Sequence, residues 1–473
     1  MEKKRIIIIG GGPGGYVAAI RAAQLGARVT LIEKEYIGGT CLNVGCIPTK
    51  ILLHSAEMFR NIREHGAEMG IEAAGLAVNF AKVMASKETV SQQLKMGVTG
   101  LLKANQITIV MGRARFIDKN SPRKILVVKK DGLTETMTAD AIIVAAGSVN
   151  AVPPISGIEE NPACVDSTGA LSLAEIPKRL VVIGCGVIGL ELAAAYMAFG
   201  AKVVVLEMME AILPAFDQDI VAAGLRHLAG AGVEFHFGCQ VQKVAAIRTG
   251  AKVFCKDKKD IERTFESDKV LIAAGRRANT EQLALDVGGI RHERGYILVN
   301  NYMETNVPGI YAIGDCVLGN AGLAHTAAAM GEAAAENICG IRSEYNPATS
   351  PSCLYIEPEA ASVGLTEKQA QEGGISYLTG TFPLAANGKA LILNGGEGLV
   401  KIIAEEKSKR ILGVHIIGPR ATDLIGEGAL AIKMQATVND VIATIHSHPT
   451  VSEAVREAAL NIENRSIHIL NRR

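Results

Sequence analysis

Two copies of one strand, loop, helix and strand pattern constrain the fold of this chain more than any other feature. The first copy runs from the apolar segment Arg5–Gly10 into the loop GGGPGG, and the second runs from Arg179–Gly184 into GCGVIG. Both loops fit G-x-G-x-x-G, which is weak evidence alone but stronger when a strand precedes it and a helix follows. The repeat predicts two βαβ units that each bind a dinucleotide.

The residues after each loop support this interpretation. Helical patterns rich in small residues cover Tyr16–Leu25 and Leu190–Phe199, and a second apolar strand follows each of them. These strands end at Glu33 and Glu207, at the same distance from the first glycine of the loop. That distance is close to the roughly 20 residues expected for an acid that binds a ribose. Order and spacing recur together, so chance is a poor explanation.

The glycines of the two loops are predicted to hold pyrophosphate groups. They let the phosphates approach the backbone, where the N–H groups and positive end of the next helix meet the negative charge. Glu207 can accept hydrogen bonds from both ribose hydroxyls but would repel a 2′-phosphate, and no arginine lies in Met208-Met209-Glu210. The second unit is therefore predicted to bind NAD rather than NADP. The loop contacts are Gly10, Gly12 and Gly15 in the first unit, and Gly184, Gly186, Val187, Ile188 and Gly189 in the second.

The chain as a whole is predicted to be an α/β protein of several domains, because 473 residues exceed what one core usually supports. The apolar strand Ala141–Ala145 and the similar segment Val270–Ala273 are each followed by Ala-Gly. Both are predicted to be the strands by which the chain returns to close each nucleotide unit. After Cys353, strands and helices continue without another glycine loop, which predicts a separate α+β C-terminal domain. The predicted ranges are 1–149 and 276–348 for the first nucleotide-binding domain, 150–275 for the second and 349–473 for the C-terminal domain.

Composition argues against several classes of partner. There are 49 basic and 48 acidic residues and no long run of like charge, so neither nucleic acid nor an anionic membrane surface is an expected partner. Apolar residues make up 48% of the chain, but no window approaches the roughly 18 uninterrupted apolar residues of a membrane span. The first residues, MEKKRIIIIGGG, lack the pattern of an export signal, and we expect a cytoplasmic protein.

The segment GGTCLNVGCIPTK, from Gly38 to Lys50, is the most specific in the chain. Seven of the nine cysteines are scattered singly, whereas Cys41 and Cys46 are close together. Half of a zinc site is an alternative, but no second pair at ligand spacing exists, so we predict no metal. Pro48 is favoured in the first turn of a helix, which would put Cys46 just outside the positive end, where a thiolate is stabilised. Cys46 is thus the predicted resting thiolate and Cys41 the exchanging thiol.

The same segment resembles the redox-active disulfide of the class I pyridine nucleotide-disulfide oxidoreductases, and the order of domains is similar to theirs. The resemblance implies FAD in the first nucleotide domain and NAD in the second. It also implies that Glu33 binds the FAD ribose, that Lys50 and Glu191 lie near the flavin ring, and that Asp315 holds the ribityl chain. Further implied cofactor contacts are Gly39, Thr40, Ala114, Ala146, Gly147, Ser148, Leu323, Ala324 and His325 for FAD, and Val241 and Gly275 for NAD.

The C-terminal segment HSHPTVSE, from His446 to Glu453, resembles the family's signature for its acid/base. The resemblance assigns His448 as the base and Glu453 as its orienting carboxylate. Thiol–disulfide exchange needs a base that titrates near pH 7, and a carboxylate partner fixes the imidazole tautomer. In this family the base acts on the disulfide of the opposite subunit, so a homodimer is expected.

Within the family, the chain is most similar to the dihydrolipoamide dehydrogenases. Glutathione reductases usually carry arginines for NADPH, and mercuric reductases add a cysteine pair near the C-terminus, whereas the last cysteine here is Cys353. The expected substrate is a neutral dithiol on a lipoylated protein of a 2-oxoacid dehydrogenase or glycine cleavage complex. Another flavin disulfide reductase of the glutathione or mercuric type is the alternative. A flavoprotein without catalysis would be expected to lose the cysteine pair or the His448–Glu453 pair.

Three short segments depart from the usual family pattern. Ala145-Ala146-Gly147 stands where Ala-Thr-Gly is common, Ile356-Glu357-Pro358 replaces a run like Thr-His-Pro, and Ser447 replaces Ala. The first change removes a side chain that could make one hydrogen bond in the flavin domain. None of the three changes the residues expected to carry the chemistry.

Overall fold

The computed structural model describes residues 3–471, in which three main sheets occupy successive parts of the chain. The first part contains β1 (Arg5–Ile9), α1 (Pro13–Gln24), β2 (Arg28–Glu33), α2 (Gly39–Val44), α3 (Cys46–His65), α4 (Phe80–Ala104), β3 (Thr108–Phe116), β4 (Lys124–Lys129), β5 (Thr134–Thr138), β6 (Ala141–Val144) and β7 (Ser148–Asn150). The second part contains β8 (Cys164–Val165), α5 (Ser167–Ala170), β9 (Arg179–Ile183), α6 (Val187–Ala198), β10 (Lys202–Leu206), α7 (Gln218–Gly230), β11 (Val233–His236), β12 (Gln240–Ile247), β13 (Gly250–Lys256), β14 (Glu262–Ser267) and β15 (Lys269–Ile272).

The chain then returns to the first sheet before it forms the third. The returning part contains β16 (Arg276–Ala278), β17 (His292–Glu293), β18 (Tyr296–Ile297), β19 (Ile310–Ala312) and α8 (Ala324–Ile338). The last part contains β20 (Ser352–Leu354), β21 (Ala360–Gly364), α9 (Glu367–Glu372), β22 (Tyr377–Pro383), α10 (Gly388–Asn394), β23 (Leu399–Glu405), β24 (Ile411–Ile417), α11 (Ala421–Lys433), α12 (Val438–Ala443) and α13 (Glu453–Ile462). Short 3₁₀ helices occur at Glu281–Leu283, Gly314–Cys316, Pro347–Thr349 and Leu384–Ala386.

The first two sheets have parallel strands at their centres, as the repeated βαβ pattern predicts. The first runs β19-β6-β1-β2-β3-β4-β5, in which the first five strands are parallel, and the second runs β11-β10-β9-β15-β8. β1 is a run of isoleucines, and Ile6–Ile9 are at most 6% exposed. They share one hydrophobic cluster with α1 and with the returning segment that contains Leu283 and Leu285. The predicted α/β fold with two dinucleotide-binding units is confirmed.

Both glycine-loop helices begin three residues earlier than the sequence pattern suggests. α1 begins at Pro13 and α6 at Val187, because the backbone N–H groups of Tyr16 and Leu190 already bond to the carbonyls of the second loop glycines, at 2.9 Å. The last loop glycine is thus helical. Residues Gly189–Ala198 of α6 are all buried, since the helix lies between its own sheet and α3.

The crossings between the two units form a small ribbon in which β7 pairs antiparallel with β16. The chain leaves the first sheet through β7 and comes back to it through β16 and then β19. The domain limits drawn from the sequence remain a prediction. A three-stranded antiparallel sheet, β12-β13-β14, was not anticipated; it is inserted in the second unit between β11 and β15.

The C-terminal part is built on an antiparallel sheet, β20-β21-β24-β23-β22, with α11 and α13 packed against it. α13 approaches β22 so closely that a Cβ on Gly380 would lie 2.1 Å from the carbonyl oxygen of Ala458. This packing fixes the start of α13, where Glu453 is located. In the part of the chain that the structure describes, no helix has the length and apolar content that a membrane crossing requires.

Candidate active site

The two close cysteines lie on either side of a break between helices. Cys41 is in α2, Gly45 interrupts the helical backbone with φ −143° and ψ −110°, and Cys46 is the first residue of α3. Pro48 is in the first turn as predicted, but the expectation that Cys46 lies just outside the helix was wrong. The helix starts earlier, and its first N–H groups still lie at the positive end that stabilises a thiolate.

The two sulfurs differ in how firmly they hold a proton. Both are free thiols in this structure. The hydrogen bond from Cys41 and the nearby Lys50 ammonium group lower the pKa of Cys46 to about 7, against the opposing effect of burial. The same hydrogen bond and burial raise the pKa of Cys41 far above its usual range. Negative charge is therefore held on Cys46, and Cys41 keeps its proton.

An ion pair fixes the cation beside Cys46. The Nζ of Lys50 lies 2.9 and 2.8 Å from the two carboxylate oxygens of Glu191, and 4.4 Å from the ring centroid of Tyr355. Glu191, in α6, is only 3% exposed and also accepts a hydrogen bond from the Tyr355 backbone at 3.1 Å. A buried carboxylate is stable only with such partners. The redox helix, the second nucleotide unit and the start of the C-terminal part thus meet at this ion pair. Sequence analysis missed Tyr355.

The first glycine loop leaves space at the start of α1. Gly12 caps the helix without any side-chain cap, and a Cβ there would come no nearer than 3.9 Å to another atom, the Cα of Gly39. In contrast, a Cβ on Gly10 would lie 2.1 Å from the carbonyl oxygen of Ala145, and one on Gly15 would lie 1.9 Å from that of Gly10. The outer glycines allow tight packing, and the middle one leaves open N–H groups that fit a pyrophosphate.

The second loop repeats this arrangement at the start of α6. Gly186 caps the helix without a side-chain cap, and a Cβ there would meet nothing within 4 Å. A Cβ on Gly184 would lie 2.4 Å from the carbonyl oxygen of Ala273, and one on Gly189 would lie 2.1 Å from that of Gly184. Val187 and Ile188 are the first residues of the helix. The two loops therefore fit the pyrophosphate groups of FAD and NAD equally well.

The predicted ribose acids occupy equivalent positions. One oxygen of Glu33 accepts a hydrogen bond from the Gly11 backbone at 2.6 Å, and one oxygen of Glu207 accepts from the Cys185 backbone at 2.7 Å. The other oxygen of each acid accepts from the N–H two residues later, at 2.8 Å in both cases. These donors hold each carboxylate beside its glycine loop, where a nucleotide ribose would lie.

Asp315 is tied to the strand that closes the first unit. It lies in the 3₁₀ helix after β19, and its carboxylate accepts a hydrogen bond from the Ser148 hydroxyl at 2.6 Å. Arg276 donates to the same hydroxyl and to the Ser148 carbonyl, both at 2.7 Å. Sequence analysis missed Arg276, although it directly follows the predicted contact Gly275. This arginine joins the two crossing strands beside Asp315.

The Ala145-Ala146-Gly147 segment is held through its backbone. The carbonyl of Ala146 accepts from the Asn279 side chain at 3.1 Å, and the carbonyl of Gly147 accepts from the Asn279 backbone at 3.0 Å. Neither bond needs the hydroxyl that is common in this family at position 146. Asn279 was also missed, because a single asparagine beyond a strand carries no distinctive pattern.

The remaining predicted cofactor residues lie in β3 or β12, just before β16, or at the starts of α2 and α8. Val241 and Ala114 are 9% and 6% exposed, and their side chains belong to hydrophobic clusters, so a cofactor would meet mainly their backbone. The imidazole of His325 bonds to the Pro351 carbonyl at 2.8 Å. Gly39 and Thr40 start α2, Leu323, Ala324 and His325 start α8, and Gly275 precedes β16.

His448 forms a pair with Glu453, the first residue of α13. Its Nδ1 lies 3.0 Å from one carboxylate oxygen, and the other oxygen accepts from the Thr450 backbone at 2.9 Å. Burial alone would raise the pKa of Glu453, but these hydrogen bonds outweigh it and lower the pKa. The ionised Glu453 accepts a hydrogen bond from the Nδ1–H group of His448. The Nε2 atom of His448 is therefore the basic nitrogen. The His448 side chain is 82% exposed in the single chain.

The neighbouring His446 has a different role. Its Nε2 lies 2.8 Å from Glu427 and its Nδ1 lies 3.2 Å from the Thr444 carbonyl, and its side chain is only 5% exposed. Hydrogen bonding to Glu427 raises the pKa of His446. Both ring nitrogens are thus occupied, so of these two histidines His448 is the one whose ring can take up a substrate proton.

Comparison with known proteins agrees with this geometry. Residues 4–331 match the family model of pyridine nucleotide-disulphide oxidoreductases, and residues 350–459 match the dimerisation domain of that family. A dihydrolipoyl dehydrogenase of Bacillus subtilis is 43% identical, with 98% of this chain and 97% of that protein covered. The mitochondrial dihydrolipoyl dehydrogenase of Pisum sativum is 42% identical, with 99% and 93% covered. The crystal structure of LpdA from Mycobacterium tuberculosis has a TM-score of 0.89 at 28% identity, covering 96% and 99% of the two chains.

The matches extend over both nucleotide loops, the cysteine pair and the C-terminal histidine, so no part of the candidate site lies outside them. FAD and NAD are the cofactors of this family, and both loops fit them. By its sequence, its fold and this site, the chain belongs to the pyridine nucleotide-disulphide oxidoreductase family, whose dimerisation domain it also carries.

Proposed function

We propose that this chain is a dihydrolipoyl dehydrogenase, which oxidises protein-bound dihydrolipoamide and reduces NAD. In the balanced reaction, dihydrolipoamide and NAD⁺ give lipoamide, NADH and a proton. The observation that carries the proposal is the polarised pair of Cys46 and Cys41 beside the Lys50–Glu191 ion pair. The names of the relatives in Bacillus subtilis and Pisum sativum support it.

The sulfur chemistry begins with the two cysteines joined as a disulfide. Nε2 of His448 takes a proton from one substrate thiol, and the resulting thiolate attacks the sulfur of Cys41. The Cys41–Cys46 bond breaks, and Cys46 leaves as a thiolate, which its low pKa favours. The second substrate thiol then attacks the substrate sulfur of the mixed disulfide, and the bond to Cys41 breaks. Lipoamide departs, the proton held by His448 passes to Cys41, and the proton of the second thiol passes to His448.

The remaining groups prepare the electron transfer that follows. FAD, which the first glycine loop and Glu33 would hold, would supply the electron acceptor between the two cysteines and NAD. Lys50 keeps the charge of Cys46 in place, and Glu191 holds Lys50 through a buried contact. Glu453 keeps the imidazole of His448 in the tautomer that exposes its basic nitrogen.

A homodimer would bring the base to the cysteines, with His448 of each subunit acting on Cys41 and Cys46 of the other. The 82% exposure of the His448 side chain in the single chain supports this arrangement, since it leaves the imidazole free to contact a second subunit. Large apolar side chains are also exposed on the same C-terminal part, a pattern typical of an interaction surface. They include Leu391, Ile392, Leu430, Met434 and Ile445, each at least 50% exposed.

The partner is a lipoylated protein of a 2-oxoacid dehydrogenase or glycine cleavage complex, in our proposal. A lipoyl arm carries a neutral dithiol, so recognition does not require a cluster of charged side chains around the cysteines. A location in the cytoplasm also stays a prediction from the sequence.

Replacement of each cysteine by serine tests the proposal. Both variants should lose NAD-linked oxidation of dihydrolipoamide, because neither can form the disulfide. In the Cys41→Ser protein, the Cys46 thiolate should still give a long-wavelength absorption band with oxidised FAD, whereas Cys46→Ser should lack it. Oxidation of dihydrolipoamide by either variant at the wild-type rate, or the band in Cys46→Ser alone, would contradict the assignment.

A further inference from the structure

A second pair of cysteines lies outside this site, in the NAD-binding part of the chain. Cys239 directly precedes β12, Cys255 is in β13, and each residue is 2% exposed. Their Sγ atoms are 2.6 Å apart. A disulfide bond requires a separation of about 2.05 Å, so a displacement well below the length of a bond would join them. Gln240 of β12 pairs with Lys256 of β13, which brings the neighbouring Cys239 and Cys255 together.

One of the two cysteines lines a cavity. A cavity of about 310 Å³ opens beside the pair, and its lining includes Cys239, Phe237, Asp257, Lys258 and Arg263 but not Cys255. The hydrogen bond shared with Cys255, and then the Arg263 guanidinium group, lower the pKa of Cys239, although burial opposes them. Hydrogen bonding to Cys239 and burial raise the pKa of Cys255 above its usual range. Cys239 is therefore the cysteine beside the cavity and the better nucleophile.

We propose that Cys239 and Cys255 form a second, reversible redox pair that reacts with hydroperoxides. The Cys239 thiolate attacks one peroxide oxygen, the O–O bond breaks, and Cys239 becomes a sulfenic acid as water or an alcohol leaves. The sulfur of Cys255 then attacks the Cys239 sulfur, the S–O bond breaks, and water leaves. In total, two thiols and hydrogen peroxide give one disulfide and two molecules of water.

The location of this pair links it to the nucleotide site. The Cys239 backbone N–H donates to the carbonyl oxygen of Glu207 at 2.8 Å, so the pair lies one hydrogen bond from the predicted ribose acid. Cys239 also lies two residues before Val241, which is another predicted NAD contact. Oxidation of this pair would thus modify the edge of the NAD site.

Mapping of disulfides in a holoenzyme that lacks the first pair tests this inference. The Cys41→Ser/Cys46→Ser double variant is treated with hydrogen peroxide, its free thiols are blocked after denaturation, and its disulfides are then reduced and labelled with a second reagent. Peptide mass spectrometry should show Cys239 and Cys255 carrying the second label, at least about tenfold above Cys185. Cys185 is the matched control, because it is also buried but its pKa is raised to about 12. Treatment with dithiothreitol after the peroxide and before the blocking step should abolish the second label.

Two single variants in the same background resolve the order of the reaction. Cys255→Ser should trap a sulfenic acid on Cys239 that dimedone labels, and Cys239→Ser should leave Cys255 unlabelled. Recovery of Cys239 and Cys255 as free thiols, or second labelling of Cys185 to the same extent, would overturn the proposal. Because these measurements require no turnover, they stand apart from the success or failure of the proposed dehydrogenase activity.

Discussion

Glu207 is the residue that sets the choice of nucleotide in this account. Its carboxylate is held in place by the Cys185 and Met209 backbone, so it cannot easily turn away from a ribose. A 2′-phosphate would meet this charge at a cost on the order of a few kcal/mol. We expect a kcat/KM for NADH far above that for NADPH, and Glu207→Gln should reduce the ratio by about tenfold or more.

The control for this residue is Glu210→Gln, because Glu210 is 66% exposed and paired with Lys258 at the surface. Its replacement should leave the nucleotide preference unchanged. Steady-state kinetics with both nucleotides provide the measurement. Equal kcat/KM for NADH and NADPH in the wild-type protein would show that Glu207 does not face the ribose.

Among the secondary structure elements, α7, α9 and β23 meet at a buried lysine. Nζ of Lys401 lies 2.8 Å from Asp217 and 2.7 Å from Asp219, and it also contacts Glu367. Lys401 and Asp217 side chains are 2% and 3% exposed. Loss of one partner from a buried pair leaves the other charge uncompensated. Lys401→Met should therefore destabilise the protein by about 3–5 kcal/mol, measured by chemical denaturation at pH 7.

The pKa shifts in this cluster set the pH range of its contribution. Although burial alone would raise the pKa of Asp217, the hydrogen bond from Lys401 outweighs it and lowers that pKa. This stabilisation is present above the ordinary carboxyl pKa and lost as the pH falls below it. The control is Lys258→Met, which removes an exposed pair and should leave the denaturation midpoint unchanged. An equal loss in both variants would contradict a special role for Lys401.

Elements with a repeated pattern were predictable from the sequence, whereas elements defined by distant packing were not. β1, β9 and their glycine loops follow from local patterns, since isoleucine and valine runs and glycine turns act within a few residues. The start of α3 at Cys46 depends on the non-helical backbone conformation of Gly45, which separates α2 from α3. The β12–β14 sheet was not predicted, although buried and half-buried residues alternate along β13, because no motif marks which short strands pair. Contacts such as that of Asn279 with the Ala146 carbonyl join residues far apart in sequence.

At the scale of the whole molecule, the proposed mechanism places each active site between two subunits. A mixed dimer of one Cys46→Ser chain and one His448→Gln chain would contain one intact site, formed by the cysteines of the second chain and the histidine of the first. Coexpression of the two inactive variants should therefore restore about a quarter of the wild-type activity, if subunits associate at random. Activity no greater than that of the two separate variants would show that His448 serves its own chain.

The proposed role of His448 as the base is tested by the rate of each half-reaction in the His448→Gln protein. Glutamine can hydrogen-bond but cannot take a proton, and general base catalysis is typically worth about 10²–10⁴-fold. Reduction by dihydrolipoamide should therefore slow by at least the lower end of that range in a stopped-flow experiment. Reduction by NADH should be much less affected, because it needs no base at the cysteines. If His448→Gln slows both half-reactions equally, His448 is structural and the proposed mechanism is wrong.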